Sequence, residues 1–136
     1  MSDADREALV QAALDARGRA YAPYSKFHVG AAVRGANGKT YIGANVENAS
    51  FPLSVCAERN AIAAAVLDGV RVIEAVAIAT PVSPPSSPCG GCRQVMAEFA
   101  LDAEVLLVND RGERAVTQLA TLLPRAFHGR ELPEIK

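Results

Sequence analysis

Tryptophan is absent and aromatic residues make up only 5% of the chain, so the interior must be built from Ala, Val, Leu and Ile. No apolar run is long enough to span a bilayer as a helix. An excess of either charge is missing too. The formal net charge is −1, far from the basic field that polynucleotide binding needs. The thin run of arginines at Arg111, Arg114, Arg125 and Arg130 is interleaved with acids and reads as solvated charge. The opening stretch, MSDADREALVQ, is acidic and lacks a signal-peptide core, so a cytoplasmic location is expected. Thiols stay reduced there, which favours thiol or metal chemistry over disulfides. The three cysteines are an odd number that cannot all pair within the chain, and there is no fourth.

Half of the 136 residues are hydrophobic. One compact domain over residues 1–136 with a real core is therefore expected. Leu9, Ala12, Ala13 and Ala16 recur at helical spacing and predict an amphipathic helix over 5–20, broken before Pro23. Residues 27–33 and 41–47 read as a β-hairpin around GANGK. NASFPL is a loop. Residues 56–68 read as a helix ended by Gly69, and the β-branched run at 70–80 as a buried central strand. The proline-rich PVSPPSSP connects to a third helix over 92–100. A strand at 103–108, a short strand at 114–116 and a short helix at 118–123 complete the chain. The order predicts an α/β fold, with helices packed on a central mixed sheet.

The cysteines fall in two stretches, CAER and PCGGC, each at a predicted helix N-terminus. Free N–H groups and the positive end of the helix dipole stabilise thiolates there. Three thiolates suit zinc, which takes four ligands. Structural zinc sites are usually closed by four protein groups, whereas catalytic ones keep a place for water. With no fourth cysteine, the remaining candidates are His28, His128 or water. Taken alone, the Cys89–Cys92 pair also fits redox chemistry, and Cys56 also fits a small buried hydrophobe. Glu58 suits the first turn of a helix by its charge alone. Beside an activated water it becomes a general base and proton carrier. Arg59, three residues from Cys56, lies near it on the helix and would offset the negative charge of the thiolates, whereas Glu58 points elsewhere.

CAER followed by PCGGCRQ resembles the zinc-dependent cytidine deaminase superfamily. YAPYSKFHVGAAV, NVENASF, CAERNAI, PCGGCRQVMAEF and LLPRAF together resemble the small homotetrameric cytidine deaminases that act on free nucleosides. The resemblance implies a three-layer α/β/α sandwich on a five-stranded mixed sheet. It implies deamination of cytidine and 2′-deoxycytidine, with one zinc per subunit on Cys56, Cys89 and Cys92 and water in the fourth place. Glu58 would carry the protons. Asn45 and Glu47 would hold the ribose 3′-hydroxyl, Phe27 would pack on the base, and the Ala57 N–H would contact the pyrimidine edge. Phe127 would line a neighbouring subunit's pocket. Phe51 departs from the Tyr of many relatives, and Ser54 from a smaller residue.

Three other readings share some of these features. A non-catalytic zinc-stabilised module would recruit His28 or His128 as a fourth ligand. A polynucleotide deaminase would need a basic or stacking groove. A nucleoside-antibiotic deaminase of the blasticidin type shares the zinc motifs, although NVENASF resembles the nucleoside enzymes more. Geometry sets a further condition. A two-residue Asn37–Gly38 turn would pair Phe27 with Asn48 and turn it away from Asn45 and Glu47. A common face requires an odd-length loop or a bulge.

Overall fold

The computed structural model describes residues 1–129 and 132. Five strands form one mixed sheet in the order β2-β1-β3-β4-β5. They are β1 (Gly30–Gly35), β2 (Thr40–Ala44), β3 (Ile73–Thr80), β4 (Glu104–Asn109) and β5 (Arg114–Gln118). Only the β3–β4 pair is parallel; the others are antiparallel. Among the described residues the α-helices are α1 (Asp3–Ala16), α2 (Ala57–Leu67), α3 (Gly90–Phe99) and the single-turn α4 (Leu119–Leu122).

Two cores give the three layers. Leu9, Val10 and Ala13 of α1 pack on Ala32, Ala75, Ala77, Ala79, Leu106 and Val108. The alternate residues of the same strands, among them Val33, Val76, Ile78 and Val105, face α2, α3 and α4. Alternation along each strand sends successive side chains to opposite faces. The α1 face is lined mainly by alanine, which lets the helix come close. A Cβ on Gly30 would lie 2.1 Å from the Ala13 carbonyl oxygen. On the other face, a Cβ on Gly43 would lie 2.4 Å from the Ala61 nitrogen and 2.5 Å from the Ala57 oxygen. These two contacts fix how deeply α1 and α2 sit on the hairpin.

Element boundaries shift where side chains take over from periodicity. Helix α1 starts before residue 5 because Ser2 and Asp5 form a reciprocal capping box at 3.1 and 3.0 Å. It ends at Ala16 and tightens into a 3-10 turn over Arg17–Arg19. Regular β1 begins at Gly30 rather than Phe27. Ahead of it the Asn45 carboxamide stands in for ladder bonds: it accepts from the Val29 N–H at 2.9 Å and donates to the Phe27 carbonyl at 2.7 Å. Regular β2 stops at Ala44, and the chain then bridges through Val46 to both Tyr21 and Val55. Helix α3 begins at Gly90, two residues before its predicted start.

The hairpin loop has three residues, Ala36, Asn37 and Gly38. The Gly35 N–H donates to the Lys39 carbonyl at 3.0 Å, and Gly38 takes the left-handed conformation with φ +83°. The register Val33↔Tyr41 and Gly30↔Ala44 follows. One step beyond the ladder the Asn45 N–H still donates to the Val29 carbonyl at 3.3 Å, whereas the Glu47 N–H donates to the Tyr21 carbonyl at 2.8 Å. The odd loop thus leaves Phe27, Val29 and Asn45 lining one cleft, while Glu47 lines another hollow.

Candidate metal centre and active site

Two helices begin at cysteines. Cys56 is the N-cap residue of α2 and Cys89 that of α3, both with extended backbone and neither side chain spent on capping. Cys92 lies in the first turn of α3, fully buried. The three sulfur atoms all lie within 4.8 Å of one another. Around one zinc, at Zn–S distances of ~2.3 Å, three sulfurs sit ~3.8 Å apart, so small side-chain rotations close the set. Neither His28 nor His128 joins this group, which among the described residues is the one cluster able to hold a metal ion. The structure thus brings together three sulfur donors, and neither histidine that a closed structural site would need is among them.

Arg59 donates from Nη2 to the Cys56 sulfur at 3.5 Å, and its Nε is buried without a hydrogen-bond partner. A guanidinium held this close fits a centre that gathers negative charge. The hydrogen bond from Cys92 is the main cause holding the Cys56 thiol down to about 5, with the nearby Arg59 adding to it. Cys92 moves the opposite way, because it donates to that thiolate and is itself desolvated. Metal uptake must displace the proton that Cys92 is disposed to hold.

Glu58 is only 5% exposed. Burial pushes its carboxyl above the usual carboxylate range, and the Cys56 thiolate adds to this. A buried acid next to a candidate metal centre is suited to holding a proton and giving it up. Its position in the first turn of α2 sends it into the same cleft as the cysteines.

That cleft encloses about 260 Å³ and is lined by Phe27, Val29, Asn45, Cys56, Ala57, Glu58, Ile78, Thr80 and residues 86–89. It sits at the C-terminal end of β3 and at the N-termini of α2 and α3. Ala57 opens α2, so its N–H has no acceptor within the helix. A larger hollow of about 600 Å³ lies between the start of β3 and the end of α3, with Glu98 and His128 in its wall. It holds none of the cysteines, and the chemistry belongs to the smaller cleft.

Cys92 and Arg59 sit behind the cleft's lining, and two further expected residues, Glu47 and Phe127, also lie outside it. Glu47 lines the adjoining hollow with Tyr24, Ser25, Phe51 and Ser54. Its carboxylate accepts from the Tyr24 and Ser25 N–H groups at 3.0 and 3.1 Å and from the Ser25 hydroxyl. Those bonds, with Ser25 foremost, hold its pKa below the ordinary value. Phe127 is 56% exposed and does not line its own chain's cleft. Phe51 meets Tyr24 edge to face, ring centroids 5.8 Å apart. Residues 86–88 form a wall that sequence reading treated only as a connector; their adjacency to Cys89 was the available signal. Ser25 carried no signal of its own.

Comparison with known proteins agrees with this geometry. The sequence model described as cytidine and deoxycytidylate deaminase zinc-binding region matches residues 3–108. The cytidine deaminase of Sporosarcina psychrophila is 46% identical over 129 residues, 94% of this chain and 95% of its own. This chain belongs to the cytidine deaminase family. Another member, the cytidine deaminase of Halalkalibacterium halodurans, is 43% identical over 94% of this chain and 98% of its own. Among the family's solved structures, the Burkholderia pseudomallei cytidine deaminase superposes with a TM-score of 0.87. It is 46% identical and covers 93% of this chain and 100% of its own. The Mycobacterium tuberculosis cytidine deaminase gives 0.78 at 36% identity, covering 92% and 98%.

Proposed function

We propose that the protein is a zinc-dependent hydrolase that converts cytidine and 2′-deoxycytidine to uridine and 2′-deoxyuridine, releasing ammonia. One observation carries the reading: three cysteine sulfurs converge at two helix starts, and a buried glutamate lines the same cleft as two of them, Cys56 and Cys89. Cys56, Cys89 and Cys92 would hold the ion. Zinc bound by three thiolates supplies a Lewis acid that makes water a competent nucleophile near neutral pH.

The remaining work falls to the chain's own groups. Glu58 takes a proton from the attacking water and delivers it to ring N3. The water oxygen bonds to C4. Glu58 then takes the second proton from that oxygen, now a hydroxyl on C4, and passes it to the exocyclic nitrogen; the C4–N4 bond breaks, the C4 carbonyl forms, and ammonia leaves. Arg59 offsets the charge on the sulfurs. Phe27 packs on the base, and the Ala57 N–H orients the pyrimidine edge. Asn45 and Glu47 address the sugar. The support for that last role is the place of Asn45 in the wall of the cleft and of the Glu47 carboxylate in a hollow beside Tyr24 and Ser25. The donor set of three sulfurs, with neither histidine near, disfavours a zinc-stabilised module without catalysis.

The test pairs the wild type with Glu58→Gln on cytidine and deoxycytidine. Wild type should release ammonia, and the variant should lose at least ~100-fold in kcat while keeping its zinc. Near-normal turnover by Glu58→Gln would refute the proton-carrier role. A zinc-loaded wild type inert on both nucleosides would refute the substrate assignment.

We also propose that residues 1–136 form a single catalytic domain. The chain would act as a homotetramer in which Phe127 completes a neighbour's cleft. The exposed Phe51, Leu53, Leu67 and Phe127 support an assembly that covers apolar surface. Among the described residues no helix is long and apolar enough to cross a membrane, which accords with the cytoplasmic location we propose.

A further inference from the structure

Cys89 is the least supported of the three sulfur residues. Cys92 is buried and Cys56 has Arg59 beside it, whereas Cys89 is exposed. Two glycines follow it, Gly90 and Gly91, and a Cβ on either would meet nothing within 4 Å. Neither glycine is therefore required by packing, and both loosen the backbone that carries Cys89.

One side chain restrains this segment. Arg93 donates from Nε to the Pro88 carbonyl and from Nη1 to the Leu122 carbonyl, both at 2.8 Å. The Pro88 carbonyl belongs to the peptide that enters Cys89, so fixing its plane fixes the backbone at Cys89 and the direction of its Cβ. The Leu122 carbonyl ends α4, whose first residue, Leu119, is buried in the core. Arg93 thus ties the cysteine loop to a rooted element, and its flat fork reaches both oxygens at once.

We propose that Arg93 is a positioning residue that holds Cys89 ready for the metal, so that its loss speeds zinc release more than it weakens the fold. The inference rests on the metal-site reading above. Wild type, Arg93→Met, Arg93→Lys and Val10→Ala would each be loaded with zinc and mixed with a chromogenic chelator in excess. Release rates would be read beside urea unfolding midpoints. Val10 packs in the opposite core and serves as a stability control. Arg93→Met should release zinc at least ~10-fold faster while still folded, Arg93→Lys should fall between, and Val10→Ala should match the wild type. Wild-type release by Arg93→Met would overturn the proposal, as would equal acceleration in Val10→Ala. Should Arg93→Met not fold, Arg93→Lys decides alone: faster release at an unchanged midpoint supports the role, and unchanged release overturns it. A wild type that takes up no zinc would instead refute the metal site itself.

Discussion

At the scale of single residues, proton placement sets the most direct expectations. Cys56 is held at about 5 by Cys92 and Arg59. In zinc-free protein, ultraviolet thiolate absorbance should therefore rise near that pH, and Cys56→Ser should remove the step. Zinc uptake at neutral pH should then release fewer protons than three neutral thiols would give up. A full count of protons together with no acid step would show that the thiolate is not preformed. Glu47 gives the second expectation. Its folded pKa lies below its ordinary value through Ser25 and Tyr24. Its contribution to stability is therefore present above the ordinary carboxylate pKa, about 4.5, and is lost as pH falls through the lowered folded value. The Tyr24 and Ser25 amide resonances should shift together across that lower pH, with no shift there in Glu47→Gln. Both carboxylate roles came from the family resemblance, since spacing alone leaves Glu47 on the solvated side of a hairpin and Glu58 as a first-turn acid. CAER offers a charged pair next to a ligand, but nothing in it states that Glu58 is buried and Arg59 is not.

At the scale of elements, close backbone approach matters more than propensity. Gly43 faces α2 so tightly that any side chain would strike the backbone of Ala57 and Ala61. Gly43→Ala should cost about 1–3 kcal/mol by urea unfolding and should lower zinc occupancy, because Ala57 adjoins Cys56. An unchanged midpoint would show that α2 can shift freely. The order of the main elements was legible from periodicity, since each was long enough to show its period. An odd hairpin loop or a bulge was legible as well, because either puts Phe27 on the face of Asn45, and the structure has the odd loop. Boundaries were not, for a physical reason. Asn45 replaces ladder bonds with its side chain, and Ser2 caps a helix before its apolar period begins. Such substitutions depend on where a polar side chain lands in space.

At the scale of the whole molecule, the unfilled expectation is assembly. Phe127 lies outside its own cleft, so its proposed role requires a neighbour. Light scattering of the zinc-loaded protein should report four chains, and Phe127→Ala should raise KM with little change in kcat. A monomer with full activity would remove both proposals. The cleft itself was legible in outline, because CAER and PCGGC announce two helix starts with sulfur at each. Their convergence was expected as well, from three cysteines suited to one zinc and from the family resemblance. The packing of α2 and α3 on one face of the sheet, which brings it about, is what no local signal reports.

The placement of Cys56 at the start of one helix and Cys89 at the start of the next has a topological consequence. An ion gripping both would close a loop containing all of α2 and β3, the strand at the middle of the sheet. Loop closure removes conformational freedom from the unfolded chain, and metal that binds only the native arrangement adds its free energy to folding. The reagent for catalysis would then double as a clasp on the central strand, and a cell short of zinc would hold less of the folded protein as well as a less active one.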